Sequence, residues 1–344
     1  MTGNKRLSIW FLFTTVVSIF NICTIRIFAT NWPLYVVTAN AVISLLGRIL
    51  HMHMNDILAK SRLIKVLRVL LLIDSVCVFA MIGLSIFIMS SQYHNPLKPD
   101  RAVSSSEEIE SAMKETDKAV TVFEAEDLYV FCPNYSNITF VSGERPSKSE
   151  QSIKLCVAAA FQATYNLRFE EDEVVGWHSI NGRLERGKPE KNLGAFTYTD
   201  GKARIWNVDE AEDAIKNAAV SGGTGYQQFI VLYDGEHGGH DSDEFRCYRV
   251  LAILNDRVCI IDSKTQMHYG EFISALEKLG VSYALYCDMG SGWNYSWYRG
   301  VDGKAIDIIG SPWPFSHNWL VFEGNVRFFT PENNARGRFS VLTI

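Results

Sequence analysis

Three long apolar stretches dominate the first 90 residues of the chain: Leu7–Phe28, Pro33–Leu50 and Val69–Ser90. A run of about 20 apolar residues is long enough for a helix to span a bilayer. The pattern therefore predicts a membrane region with about three transmembrane helices over residues 1–91. The alternative for the first stretch, a cleaved signal peptide, is disfavoured because no clear small-residue cleavage site follows it and two more apolar stretches do.

Basic residues indicate how this region is oriented. Lys5 and Arg6 precede the first stretch, and more basic residues crowd between the second and the third. Short cytoplasmic loops retain Lys and Arg, so both places are predicted to be cytoplasmic. With three spans, the remainder of the chain emerges on the other side. We expect a membrane protein, fitting a bacterial inner membrane, with a C-terminal domain that is extracytoplasmic and periplasmic.

Residues 92–119 are more polar than the apolar stretches before them. Pro96, Pro99 and a serine run alternate with Glu and Lys, and large apolar residues are few. Such a segment is typical of a polar linker. A short helix is predicted to begin at Ser106, because Glu107 and Glu108 follow in its first turn.

From residue 120 onward, short strand-like runs replace the long apolar stretches, and tight-turn pairs such as Asn181-Gly182 separate several of them. Helical spacing of apolar residues predicts only two further helices, one after Asn207 and one that ends at Gly280. The fold class predicted for residues 120–344 is therefore α+β, on a mixed, largely antiparallel sheet. The predicted strands are Leu128–Phe131, Ile138–Val141, Ile153–Ala160, Gly194–Tyr198, Ala203–Trp206, Gln228–Tyr233, Tyr248–Leu254, Val258–Asp262, Val281–Cys287, Ile306–Ile309 and Trp319–Phe322.

Charge and cysteine content narrow the choice of partners. The formal net charge is -5, which gives no indication of nucleic-acid binding. Five of the seven cysteines fall in the predicted domain, with no C-x-x-C pair. Zinc binding by cysteine is disfavoured, most cysteines are interpreted as buried apolar residues, and a Cys132 to Cys156 disulfide is an open alternative.

The stretch from Tyr269 to Arg299 carries the main candidate site. A helix, Gly280, an apolar strand and then Asp288-Met289-Gly290-Ser291-Gly292 follow in that order. Ligand sites collect where covered strands end, and glycines let a substrate approach the backbone. The alternative is that Asp288 only forms a turn by bonding its own backbone.

Two further groups of residues are candidates. The loop from Gly235 to Glu244 holds His237, His240 and Asp241, which are ligand types for a divalent cation, the possible cofactor. A solvated hairpin loop is the alternative. Beyond Asp288, Trp293 and Asn294 open a run of aromatic and polar residues that could stack on and hydrogen-bond to a sugar, although core packing explains part of such a run.

The run Ala284-Leu285-Tyr286-Cys287-Asp288-Met289-Gly290-Ser291-Gly292 resembles the phosphodiester glycosidases, in which a helix is followed by a strand ending in Asp and a Gly-Gly-Gly-Ser turn. The resemblance covers roughly residues 125–325 and implies that Asp288 positions or activates the reacting group. It also implies that Gly290, Ser291 and Gly292 cradle the substrate. An arginine fork suits a phosphodiester; the family's arginine matches Arg249, with Arg246 as second choice.

Earlier blocks resemble the family more loosely. Asn192-Leu193-Gly194 matches a glycine-rich strand and turn, which makes Asn192 a candidate substrate-binding residue. Ala159-Ala160-Phe161 stands where the family has Asn-Gly-Phe, so an asparagine contact is missing or comes from Asn166. His178 is a candidate acid or base, with a structural role as the alternative.

These patterns together predict a membrane-anchored, extracytoplasmic hydrolase of sugar phosphodiesters, whose partner is a phosphorylated glycan. Two alternatives stay open. The domain could be a non-catalytic glycan-binding envelope module, or a metal-dependent hydrolase centred on His237 and His240.

Overall fold

The computed structural model describes residues 93–94, 97–163, 173–290, 294–310 and 316–325. The three predicted transmembrane helices lie outside these residues. Within the described ranges, none of the helices combines the length and apolarity that crossing a bilayer requires. The described residues all belong to one compact unit, which comprises residues 91–163 and 173–344.

Strands far outnumber helices in this unit. The helices among the described residues are α1 (Ser106–Glu115), α2 (Ala211–Val220) and α3 (Tyr269–Leu279). The strands are β1 (Tyr93–His94), β2 (Arg101–Ala102), β3 (Val120–Ala125), β4 (Leu128–Pro133), β5 (Asn137–Ser142), β6 (Ile153–Ala158), β7 (Gln162–Ala163), β8 (Glu173–Val174), β9 (Trp177–Ile180), β10 (Arg183–Arg186), β11 (Leu193–Thr199), β12 (Lys202–Trp206), β13 (Thr224–Tyr233), β14 (Glu236–His237), β15 (Phe245–Arg246), β16 (Arg249–Leu254), β17 (Arg257–Ser263), β18 (Met267–His268), β19 (Tyr283–Tyr286), β20 (Ser296–Arg299), β21 (Ala305–Gly310) and β22 (Asn318–Glu323).

Two large sheets organise these strands. The smaller has six strands in the order β1-β21-β20-β6-β22-β5. The larger has twelve and runs β10-β9-β13-β19-β16-β17-β4-β3-β2, with β11, β12 and β14 attached beside β13. Apart from the parallel pair β2 and β3, the pairings between these strands are antiparallel. The predicted sheet-rich fold with few helices and mostly antiparallel strands is confirmed for the described residues.

The main core lies between the two sheets. Phe140, Leu155 and Phe322 from the six-stranded sheet pack with Leu251 and Leu285 from the twelve-stranded sheet. Successive side chains of a strand point to opposite faces. The alternate residues of the same strands therefore meet a second core on the other face of the twelve-stranded sheet.

That second core, here called the helix-side core, contains α1 and α3. Val250 and Ala284 from the sheet pack with Ile109 of α1 and with Phe272 and Leu276 of α3. Burying one such large apolar side chain contributes about 1.5–3 kcal/mol. The predicted helix at Ser106 is present, and the segment interpreted as a polar linker contributes both α1 and β2 to this unit.

Helix α3 ends as its sequence signal predicts, whereas α2 begins after Asn207 with Glu210, not Asn207, at its N-cap position. Gly280 ends α3 in the left-handed conformation at φ 86°, as its position predicts. Asn207 accepts a hydrogen bond from the backbone N–H of Glu210 at 3.0 Å. The helix α2 begins one residue later, at Ala211, and buries Ala211 and Ile215 against Ala195 of β11.

The positions of the cysteines exclude the Cys132 to Cys156 disulfide that the sequence left open. The five cysteines within the described residues are all free thiols. Cys132 lies in the helix-side core, whereas Cys156 packs with Trp297 and Trp319 in a separate cluster. The Cys132 to Cys156 disulfide is therefore wrong. The Cys132 thiol instead lies 2.9 Å from the Cys259 thiol.

Candidate functional site

Asp288 lies two residues beyond the end of β19, as the sequence predicts. Its backbone N–H donates to the carbonyl of Ala159 at 2.9 Å, which ties it to the segment after β6. Its carboxylate accepts a hydrogen bond from the N–H of Gly290 at 2.9 Å. The turn-forming bond of the structural alternative is therefore present, so a functional role for Asp288 requires further observations.

The burial of Asp288 is the first observation that favours a functional role. Asp288 is only 8% exposed. Burial raises its pKa to about 7, while the Gly290 N–H and the charge of Arg246 lower it in part. A buried group disfavours its charged form. The carboxyl of Asp288 therefore changes protonation state near neutral pH, which suits a group that accepts or donates a proton.

Arg246 is the arginine whose charge lowers the pKa of Asp288. Its guanidinium donates to the hydroxyl of Tyr286 and lies over the rings of Tyr248 and Tyr286, at 5.5 and 5.7 Å. Its Nη1 also pairs with Glu244 at 2.7 Å. Glu244 is 63% exposed, so this ion pair is weak and an anionic ligand can replace the carboxylate.

Tyr248 and Tyr286 belong to a group of rings in mutual contact, which we call the aromatic cluster: Phe161, Phe229, His240, Tyr248, Tyr269 and Tyr286. Strand pairing fixes its geometry, because Arg246 of β15 pairs with Met267 of β18, two residues before Tyr269 opens α3. Burial raises the pKa of Tyr269 and of Tyr286 above the ordinary value. Both phenols therefore remain protonated donors at neutral pH.

Two buried donors of this region have no hydrogen-bond partner among the described residues. Within the described residues, the hydroxyl of Tyr269 and the Nε of Arg246 are buried and have no hydrogen-bond partner. Leaving such a group unsatisfied costs about 1–3 kcal/mol. The proton of the Tyr286 hydroxyl is also available, since that oxygen accepts from Arg246. The aromatic cluster can therefore donate several hydrogen bonds to an anionic ligand.

The loop with the two histidines covers this cluster. His240 stacks on Phe229 with ring centroids 4.4 Å apart, and His237 lies beside Tyr269 at 6.2 Å. Gly238 holds the loop against β13, where an added Cβ would lie 2.3 Å from the carbonyl oxygen of Ile230. Burial and the charge of Arg246 lower the pKa of His240, so its imidazole is neutral near pH 7.

The metal hypothesis gains no cluster from this loop. In the part of the chain that the structure describes, no three His, Cys, Asp or Glu side chains converge as metal ligands. Asp241 is exposed and accepts a hydrogen bond from the N–H of Ser242 at 2.8 Å. The ring of His240 stacks on that of Phe229. A divalent cation at His237, His240 and Asp241 stays a prediction.

Arg249, the first choice for phosphate binding, lies elsewhere. Its side chain is 0% exposed and its Nε and Nη2 each donate to Asp262 at 2.6 Å. Its Nη1 points to the carbonyl oxygen of Asn294 at 3.4 Å. Asp262 lies directly opposite Arg249 in the antiparallel pair of β16 and β17. This position lets the two side chains form two side-by-side hydrogen bonds. The fork of Arg249 is thus closed on the protein itself.

The glycine-rich turn is described only in part. Gly290 forms the bond to Asp288, and Asn294 is buried beside Arg249. Ser291, Gly292 and Trp293 lie outside the described residues, as does Asn166. The structure instead shows that Asn318 bonds both the N–H and the carbonyl of Ala160, at 2.8 and 3.0 Å.

His178 also lies apart from the aromatic cluster. It is buried, its Nε2 is 3.2 Å from the carboxylate of Glu185, and its ring contacts Phe140. Burial lowers its pKa. These contacts agree with the structural alternative that the sequence left open.

Asn192 lines a cavity of about 220 Å³. Trp177, Arg186, Glu190, Glu212 and Gln227 are among the other lining residues. The cavity adjoins the aromatic cluster through the backbone, because Leu193 pairs with Phe229. The candidate residues thus lie in four separate places. Asp288, Arg246 and His240 share one region, and Asn192 lines the cavity. Arg249 is paired with Asp262, and His178 lies beside Glu185.

Sequence reasoning missed Tyr286 and Tyr269 as site residues. A signal was present for Tyr286, because residues two apart on a strand share a face and Tyr286 is two before Asp288. Tyr269 opens a predicted helix, but nothing in the pattern indicated which residues its hydroxyl would meet.

Comparison with known proteins finds distant structural neighbours among the solved structures. No protein-family model and no curated protein matches the chain. The catalytic domain of zebrafish N-acetylglucosamine-1-phosphodiester alpha-N-acetylglucosaminidase, auto-inhibited by its pro-peptide, aligns with a TM-score of 0.43 and 10% identity over 60% of this chain and 82% of that one. A Burkholderia pseudomallei K96243 protein that is predicted to be exported aligns with a TM-score of 0.41 and 10% identity, over 57% of this chain and 73% of that one. The structural relationship to both is distant.

Proposed function

We propose that this domain hydrolyses the bond between a sugar and a phosphodiester, with Asp288 as the base and Arg246 as the phosphate-binding residue. The observation that carries the proposal is the buried carboxyl of Asp288, whose pKa of about 7 is lowered in part by the charge of Arg246. A proton acceptor poised near neutrality thus lies close to a cation that can hold an anion.

Phosphate recognition is assigned to Arg246 together with the two tyrosines. The buried Nε of Arg246 and the hydroxyl of Tyr269 lack partners within the described residues. Tyr286 orients the guanidinium by accepting its hydrogen bond. A phosphodiester displaces the exposed Glu244 from Nη1 and satisfies these donors. Arg249 takes no part, because both sides of its fork are bonded to Asp262.

The chemistry of the leaving group determines the role of Asp288. When water attacks the anomeric carbon, the C–O bond breaks and the phosphate leaves with the electron pair. Its negative charge, already stable near neutral pH, requires no proton, and Arg246 stabilises it. The proton that must be removed is that of the attacking water, and Asp288 in its ionised form accepts it.

The membrane-anchored, extracytoplasmic placement inferred from the apolar stretches is part of the proposal. An outward-facing domain would meet phosphorylated glycans of the cell envelope.

The glycan-binding alternative has one observation in its favour. The cavity beside Asn192 combines the ring of Trp177 with carboxylate, amide and guanidinium groups, a mixture that suits sugar hydroxyls. In this alternative the ligand binds and is released unchanged.

The direct experiment is release of free sugar from a panel of sugar-1-phosphodiesters by the full chain in detergent. Asp288→Asn and Arg246→Gln should each lower kcat/KM by about 100-fold or more, because loss of a positioned base or of a charged phosphate contact has effects of this order. Asp209→Asn and Arg183→Gln are matched exposed controls and should leave the rate unchanged.

The outcome distinguishes the alternatives. Turnover that both Asp288→Asn and Arg246→Gln abolish supports the proposal. Binding of the panel without turnover, retained in Asp288→Asn, favours the glycan-binding module. Activity that Asp288→Asn leaves intact would contradict the assigned base.

A further inference from the structure

A pair of cysteines in the helix-side core carries an inference independent of the proposed activity. The Sγ atoms of Cys132 and Cys259 are 2.9 Å apart and both residues are 0% exposed. The two residues are separated by 127 positions along the chain. Contact between them therefore depends on the tertiary fold.

The register of the sheet explains the contact. Phe131 of β4 pairs with Ile260 of β17, so Cys132 and Cys259 are the next directly opposed residues of this antiparallel pair. Directly opposed residues have Cα atoms about 4.5 or 5.5 Å apart, and both spacings lie in the range that disulfides adopt. Both side chains point into the helix-side core. Bond formation needs less than about 1 Å of sulfur movement.

We propose that Cys132 and Cys259 form a disulfide bond that joins β4 to β17. The two thiols lose two protons and two electrons as the Sγ–Sγ bond forms. A disulfide oxidant, such as oxidised glutathione or the disulfide of a thiol oxidase, takes up both electrons and is cleaved to two thiols. Such oxidants occur in extracytoplasmic compartments.

The timing follows from the environment of the thiols. Burial, together with the neighbouring Cys259, raises the pKa of Cys132 well above the ordinary value. The thiolate is the reactive form, so the folded pair reacts slowly with an oxidant. Oxidation therefore occurs during folding or during transient opening, and the finished bond is shielded from reductants in the same way.

The remaining cysteines of the domain do not share this arrangement. Cys156 packs against tryptophans on another face, and Cys287 lies in the core between the sheets. Cys247 is half-buried before β16. An odd number of domain cysteines is thus resolved into one pair and three thiols.

The test is peptide mapping of the full chain. The protein is reduced in detergent, treated with oxidised glutathione in mild guanidinium chloride, alkylated, and digested without reduction for mass spectrometry. The expected product is a linked pair of peptides containing Cys132 and Cys259, which separates on reduction. Alkylated Cys132 and Cys259, mixed disulfides with glutathione alone, or a link from Cys132 to another cysteine would overturn the proposal.

Variants provide a second readout. The oxidised parent should unfold at a temperature about 5–15 °C above that of the reduced parent, because the bond closes a long loop of the unfolded chain. Cys156→Ala, a control at an equally buried strand position, should keep this shift, whereas Cys259→Ala should lose it. The same shift in Cys259→Ala would contradict the assignment.

Discussion

Arg246 and Arg249 are three residues apart, yet they occupy two different regions of the molecule. Arg249 is sealed between the sheets with its fork closed on Asp262. Arg246 keeps a side chain that is 34% exposed and an unpartnered Nε at the edge of the aromatic cluster, within the described residues. One arginine is committed to the fold, and the other is available for a ligand.

The two arginines differ because they belong to different strands. Arg249 shares its face of β16 with Leu251, which packs in the core between the sheets. Tyr248 and Val250 belong to the opposite face and to the helix-side core. Arg246 instead belongs to the short strand β15, which pairs with β18 in a separate two-stranded sheet next to α3. Residue type alone does not distinguish the two roles.

Replacing Arg249 should cause the largest loss of stability. Arg249→Met should destabilise the domain by about 3–5 kcal/mol, because it leaves the buried carboxylate of Asp262 without its partner. Guanidinium unfolding followed by tryptophan fluorescence measures the change. The double variant Arg249→Met/Asp262→Leu should recover most of the loss, and Arg246→Met should stay within about 1 kcal/mol of the parent. Equal losses in the two arginine variants would contradict the comparison.

The next effect concerns the stability that Asp288 costs the fold. The folded carboxyl keeps its proton up to about pH 7, whereas an unfolded Asp releases it near pH 4. The folded state thus binds more protons between these values, so stability falls as pH rises from about 4 to 7 and is constant above. Asp288→Asn should lack this decline and exceed the parent by up to about 4 kcal/mol at pH 8. Unfolding curves at pH 4 and pH 8 test this, and a difference independent of pH would contradict it.

Replacing Arg246 by Lys should have a smaller effect, on KM. Arg246→Lys keeps the charge but removes the fork, so KM for a sugar phosphodiester should rise about 10-fold with stability unchanged. Lys at this position cannot make two parallel bonds to the phosphate oxygens. The control Arg183→Lys, at an exposed strand position, should leave KM at the parent value. Unchanged KM in Arg246→Lys would show that Arg246 does not grip the phosphate.

The smallest expected effect addresses the histidine loop. Treatment of the full chain with a chelator should change sugar release by less than about twofold, because the proposed reaction assigns phosphate binding to Arg246 and proton removal to Asp288. The metal-dependent alternative would be favoured instead if the chelator abolished activity and added divalent cation restored it. In that case His240→Gln should be inactive even without chelator.

Much of the fold could be predicted from the sequence. Each of the eleven predicted strands overlaps a strand of the structure, and the left-handed Gly280 ends α3 as its position requires. Alternation and glycine punctuation are local signals, which explains this success. The packing of α1 into the helix-side core was missed because its polar flanks concealed the spacing of Ile109, Ala112 and Met113.

The candidate site was predictable only in part. Asp288 could be placed at a strand end from local pattern, but its backbone bond to Ala159, just after the distant strand β6, could not. The choice between Arg246 and Arg249 required the strand register with β17, which places Asp262 opposite Arg249. Tyr269 joined the site through the pairing of β15 with β18. Such long-range pairings leave no local signature.

The most direct test of the account is the pH dependence of kcat/KM for sugar release from a phosphodiester, which does not itself titrate near neutrality. With Asp288 as the base, kcat/KM should rise with pH and level off above about pH 7, the pKa that burial gives its carboxyl. Arg246→Gln should move this midpoint to higher pH, because the charge of Arg246 lowers the pKa of Asp288. A profile that is flat across neutral pH, or a midpoint that is the same in both proteins, would contradict the pairing of Asp288 with Arg246.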